Sequence, residues 1–273
     1  MAVVARWQLH PLHLSLVQTY LRIEDLTLPL EAPSYGATQQ QVADLARREA
    51  PQMEALGLLV DDELAPGLED ALRLLAKPYL WVDSLWFPQF GADPAWRTVA
   101  ARTDEDRVVL GVQPPLDDRF GGMLTVEVHE KAPLPQVLLP TLPPAPRGTR
   151  NPVRVPESSF RVGQAEPEPD TFLEESGRAA RGGSGDREVE AYRAMGRVEK
   201  VRVGQLAANL RDTTGKVHRA GPVTWFDNAE PDGRYLDHTE QNSNGERCYL
   251  ITPADAGVIG RTIDSLVRSA RAA

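Results

Sequence analysis

His10 and His13 stand three residues apart, a spacing that lets one helical face offer two imidazole nitrogens to a metal. Pro11 between them and the lack of a third ligand weaken that possibility, and ordinary surface histidines are expected. Asp237 and His238 have the residue types of an acid–base pair, but neighbours on a strand point to opposite faces and are not expected to work together. Cys248 has the chemistry of a nucleophile. Flanked by Arg247 and Tyr249 in a strand-like run, it is expected instead as a small buried apolar residue. It is the one cysteine of the chain, which excludes an intramolecular disulfide framework and a zinc site built on several thiolates. The acidic groups Asp61-Asp62-Glu63, Asp104-Glu105-Asp106 and Asp117-Asp118 lack the alternating ligand spacing of a calcium loop and are expected in solvated turns. No G-x-x-x-x-G-K-[ST], G-x-G-x-x-G or G-x-S-x-G run occurs. The expectation is a protein without catalytic residues, metal or cofactor.

The aromatic residues carry a different chemistry, that of protein docking. Trp86, Phe87, Phe90 and Trp96 cluster around the turn Gly91-Ala92-Asp93-Pro94. Most should belong to the core. Any left at the surface would form a docking site, because desolvated aromatic anchors dominate interface energetics. Trp225-Phe226, at the end of a later strand, has the same two possible roles.

The elements that must hold these residues can be traced from hydrophobic periodicity. The 273 residues leave room for one large domain or two lobes, and 41% apolar with 25% charged residues is ordinary for a globular protein. No run approaches the ~20 apolar residues of a membrane span, and the N-terminus lacks a charged region followed by an apolar one, so a soluble cytoplasmic protein is expected. An apolar helix is expected over residues 12–21. Thr38 then caps a second helix, with Gln41 in capping-box spacing, Pro51 kinking or splitting it and Gly57 ending it. Leu68, Ala71, Leu72 and Leu75 recur at helical spacing. Strands follow at 79–87, 96–102, 107–112 and 123–130, the last alternating as though one face were wet. A short helix is expected at 133–139. Eight prolines within residues 133–156 suggest a linker over 141–165, running across the surface. Beyond it, residues 166–170 read as exposed, 172–178 as a short helix, 181–185 as a loop and 186–195 as a helix. Strands at 198–210, 217–226, 234–238 and 247–251 come next, with Asp232-Gly233 as a turn. In the closing helix Thr252 caps, Pro253 takes the first position and Asp255 sits near the positive end. Residues 1–140 and 166–273 thus each read as helical material, four meandering strands and a helix, an internal duplication of architecture.

Charge argues about partners. Residues 1–140 carry 11 basic and 20 acidic side chains, and residues 141–273 carry 19 of each. An acidic half repels a phosphate backbone. The stretch 53–76 resembles the second half of a winged-helix domain, which makes a DNA-binding or signalling regulator the alternative function. Residues 38–76 nevertheless hold Arg47, Arg48 and Arg73 against eight acidic residues, a poor composition for a helix that reads DNA. A small-molecule-binding or catalytic α/β protein is a third possibility, and it lacks any convergent polar grouping in the sequence.

Several motifs taken in order resemble the EspG family, cytosolic chaperones associated with ESX (type VII) secretion in actinobacteria. They are MEALGLL and DDELAPGLEDALRLLAKP within residues 53–78, followed by the aromatic-rich strands. The second half adds Gly204-Gln205, Trp225-Phe226-Asp227, Gly233-Arg234-Tyr235 and Ile251-Thr252-Pro253-Ala254-Asp255. Arg outnumbers Lys 26 to 4, which suits a GC-rich actinobacterium, and a non-mycobacterial member is expected. The resemblance implies an α/β (α+β) fold, a central mostly antiparallel sheet with two helical bundles and pseudo-twofold halves in one compact domain. It also implies structural roles for Gly204, Gln205, Gly233, Tyr235, Thr252, Pro253 and Asp255. The implied function is to bind a helical ESX substrate before export, a PE–PPE pair in mycobacteria or another helical hairpin elsewhere. Covering its apolar tip would keep it soluble. Candidate contact residues are Trp86, Phe87 and Phe90, or Val201, Val203, Val223 and Trp225. Nucleic acid and membrane insertion are not expected, and homodimerisation stays open.

Overall fold

Alternating apolar runs pair into antiparallel strands, and the helical repeats cover them. The computed structural model describes residues 2–91, 95–116, 121–162 and 184–273. In chain order the elements are β1 (Ala2–Leu9), α1 (Pro11–Leu21), α2 (Gln39–Ala55), β2 (Leu59–Val60), β3 (Glu63–Leu64) and α3 (Leu68–Ala76). The strands β4 (Leu80–Phe87), β5 (Trp96–Arg102), β6 (Arg107–Gln113) and β7 (Leu124–Glu130) lead to α4 (Leu134–Leu138). There follow β8 (Val153–Pro156), α5 (Glu157–Val162), α6 (Ser184–Arg197), β9 (Lys200–Arg211), β10 (Val217–Asn228), β11 (Arg234–Gln241), β12 (Arg247–Pro253) and α7 (Ala256–Ala272).

Two compact units result. The first comprises Met1–Pro144, Arg202–Pro222 and Ala256–Ala273, the second Ala145–Val201 and Val223–Asp255. They differ from the halves 1–140 and 166–273 suggested by the repeat, because most of β9, the start of β10 and the closing helix return to the first unit. Strand order is β1-β7-β6-β5-β4-β9-β10 in the first and β10-β11-β12-β8 in the second, β10 running through both.

In the first unit helices pack on both sheet faces. On β5, Val99 and Ala101 face one way and Ala100 the other, and all three are fully buried. Leu72 and Leu75 of α3 and Leu14 and Val17 of α1 close the first face over Trp81, Val109, Leu124 and Val126. On the other face α4 packs on β5 and β6 and against α7, whose Ile259, Ile263, Leu266 and Ala270 form the expected buried stripe. Double cover corrects the expected wet face of β7: His129 is buried there, 2.9 Å from Glu127. Thr38 caps α2 as expected, its Oγ accepting from the Gln41 amide at 3.2 Å, while the Gln41 side chain accepts from Ala37 N–H. Pro51 does not split α2, which runs on to Ala55. Gly57, at φ 68°, ends it: Gly57 N–H bonds Glu54 O and Leu58 N–H bonds Met53 O. The acidic turn sits at the tip of the β2–β3 hairpin, where Asp61 and Asp62 both take positive φ.

In the second unit the proline-rich stretch is not merely a linker. Pro156 lies in β8, an edge strand paired with β12, where a missing N–H is tolerated. Upstream, residues 146–150 are strapped to β11. Arg234 N–H bonds Pro146 O at 2.8 Å, and Gly148 N–H bonds Arg234 O at 3.0 Å. Gly233 has no positive φ, so it is not a turn-making glycine. A Cβ there would stand 2.4 Å from Pro146 O, and the glycine exists for that close approach. Tyr235 is fully buried, stacked on Phe226 at 5.6 Å. Thr252 and Pro253 belong to β12 and do not start the helix, which begins at Ala256 directly after Asp255. α6 begins at Ser184, and the expectations for residues 166–170, 172–178 and 181–183 lie outside the described residues.

Candidate protein-docking face

β4 and β9 pair antiparallel from Leu80↔Leu210 to Phe87↔Val203. Alternation puts Asp83, Leu85 and Phe87 on one face beside Ala207, Gln205 and Val203. Toward one end this face is closed by a polar knot. Arg219 of β10 donates from Nη1 and Nη2 to the two Asp83 carboxylate oxygens at 2.7 and 3.1 Å, and from Nη1 to Asn209 at 2.9 Å. Asn209 in turn donates to Asp83 at 2.7 Å. Such a bidentate, charge-assisted fork fixes both partners. Toward the other end, Leu85, Phe87 and Val203 are half-buried and Gln205 is exposed. The result is an open apolar strip on a paired sheet, beside a self-satisfied charge cluster. A hydrophobic partner covering it would gain about 25 cal/mol per Å² of apolar surface removed from water.

The expected contact residues divide. Phe87 and Val203 come together as a register pair on this strip. Phe90, 54% exposed, follows β4, and Val201, 41% exposed, lies in the second unit. Trp86 is not a surface residue: it is buried on the opposite face, stacked on Trp96 at 5.4 Å. Val223 and Trp225 are buried in the second unit, with the Arg234 guanidinium 4.3 Å over the Trp225 ring. Arg234 itself pairs with Asp227 at 2.7 and 2.8 Å, so this group belongs to the core. Gly204 is buried opposite Trp86, whereas Gln205, expected as a structural residue, is exposed. Asp83, Leu85 and Arg219 were not expected. Stepping by two from Phe87 reaches Leu85 and Asp83, but Arg219 sits on a strand whose register sequence does not set.

The residues with catalytic types disperse. His13 is buried beside Glu49 at 3.3 Å, contrary to its surface expectation, and His10 accepts from the Leu12 amide at the start of α1. No group of three metal-ligating side chains occurs among the described residues. Asp237 meets Tyr192 of α6, and its carboxyl is pushed up by burial, partly offset by Tyr192 and Lys200. Burial pushes the His238 imidazole down. Cys248 is buried. α3 buries its apolar face and carries Glu69 and Asp70 in its first turn, an arrangement that repels phosphate. No helix of the described residues is long and apolar enough to cross a membrane.

No curated protein matches the chain in sequence. Among solved structures, it is similar to the Mycobacterium tuberculosis type VII secretion system chaperone EspG5, determined in complex with the PE25–PPE41 dimer. The identity is 16%, the match covers 97% of this chain and 96% of that chain, and the TM-score is 0.64. That likeness shows a shared fold, a large mostly antiparallel sheet with several helices. A model of the EspG family matches residues 10–265, nearly the whole chain, and the chain therefore belongs to the EspG family.

Proposed function

We propose that this protein is a cytoplasmic, non-enzymatic chaperone of type VII secretion that binds a helical substrate of the PE–PPE kind. The observation that carries this is the family match over residues 10–265, together with full-length similarity in fold to a chaperone held with a PE–PPE dimer. The strip of Leu85, Phe87, Val203 and Gln205 supports it physically. A sheet presents a flat, preorganised surface, so little conformational entropy is lost when an apolar helical tip settles on it. The Asp83–Arg219 fork beside the strip sets a charged border that would favour one orientation of the tip.

Co-expression with a PE–PPE-like pair from the same organism tests this. The pair should stay soluble and co-elute with the chaperone on size exclusion. Gln205→Arg, at an exposed position, should abolish co-elution without changing the circular dichroism of the free protein. A pair that stays soluble and separate, or one captured equally by Gln205→Arg, would count against the proposed face.

A further inference from the structure

A groove of about 480 Å³ opens in the first unit, on the same sheet face as the strip but across β1, β7 and β6, beside α3. Its floor is apolar, formed by Trp7, Leu74, Val109 and Val128. Val4, 51% exposed, stands at the entrance on β1. The rim is acidic: Asp70 comes from α3, Asp104 and Glu105 from the β5–β6 turn. Arg107, the cation of the lining, pairs with Glu105 at 3.1 Å, so the net negative charge of the rim rests on Asp70 and Asp104. An apolar trough with a carboxylate rim selects for apolar side chains flanked by cations.

We propose that this groove is a second docking site, taking an amphipathic segment of a partner protein that carries Lys or Arg beside its apolar face. Charge decides among occupants. A second copy of this chain would bring the same acidic rim, from a molecule of net charge −9, against the first. The basic amphipathic helix α7 of such a copy already buries its apolar stripe. Residues 163–183 of the same chain carry five acidic and two basic side chains, the wrong sign for this rim. The site is independent of the cargo strip, which lies on β4 and β9.

The test uses the full chain and a synthetic amphipathic peptide of leucine and lysine, with a leucine–glutamate counterpart as control, in isothermal titration calorimetry. The leucine–lysine peptide should bind, weaken steeply as salt rises, and lose about tenfold or more in affinity on Asp70→Lys combined with Asp104→Lys. Val4→Asp should also weaken it, which mere attraction to an acidic protein would not produce. No binding, equal binding of the glutamate peptide, or unchanged affinity in both variants would overturn the proposal. The charge-reversed variant should still co-elute with the secretion substrate, so failure at this groove is distinguishable from failure at the strip.

Discussion

Asp232, in the second unit, accepts five hydrogen bonds. It accepts from Thr149 N–H at 2.9 Å, Thr149 Oγ at 3.0 Å, Tyr235 Oη at 2.6 Å and Asn228 Nδ2 at 3.0 Å, with Arg150 Nε at 3.2 Å. Burial alone would raise its carboxyl, but these donors overrule it and hold the group well below the usual carboxylate range. A folded-state pKa below the unfolded one stabilises the fold above about pH 4 and is lost as pH falls toward the folded value. Urea unfolding at a series of pH values should therefore show wild type losing stability below about pH 4, with a shallower loss in Asp232→Asn. Tyr235→Phe removes one donor to Asp232 and one acceptor for Arg150 N–H, and should cost about 1–2 kcal/mol at pH 7. Asp237 has the opposite sign. Burial raises its folded pKa, so its contribution is most favourable at low pH and declines as pH rises through that pKa. Asp237→Asn should melt at or above the wild-type temperature at pH 7 and lose that advantage near pH 4.

At the scale of elements, what sequence made legible was what neighbours along the chain decide. Thr38 and Gln41 marked the start of α2 because a cap bonds amides within one turn, and Thr38→Ala should cost about 1 kcal/mol in chemical denaturation. Leu68, Ala71, Leu72 and Leu75 marked the buried face of α3 because 3.6-residue periodicity is local. Thr252 and Pro253 misled for the same reason: their order fits a helix start, yet pairing of Leu236 with Thr252 and of Tyr235 with Pro253 extends β12 through them. Gly233 also looked like a turn residue, and only the arrival of Pro146, distant in sequence, reveals its steric role. Gly233→Ala should push residues 146–150 off β11. Hydrogen exchange should then accelerate at Gly148 and Arg234, whose amides make the strap bonds, while β5 and β6 stay protected.

Over the whole molecule, family membership and the antiparallel sheet were legible from motifs spread along the chain, whereas the docking strip was half legible. Phe87 and Val203 could be named from residue type. Trp86 and Trp225 have the same surface chemistry in sequence but lie in the core, because strand parity and the layers packed above each face decide exposure. Asp83 and Arg219 are 136 residues apart, and no local signal joins them. We propose that the face of β4 and β9 carries the secretion substrate. The most direct test is hydrogen–deuterium exchange of the chaperone with and without a PE–PPE-like pair from its own organism. New protection is expected over residues 83–87 and 203–207 when the pair is bound. A bound pair that leaves those strands unchanged and protects another surface would contradict it.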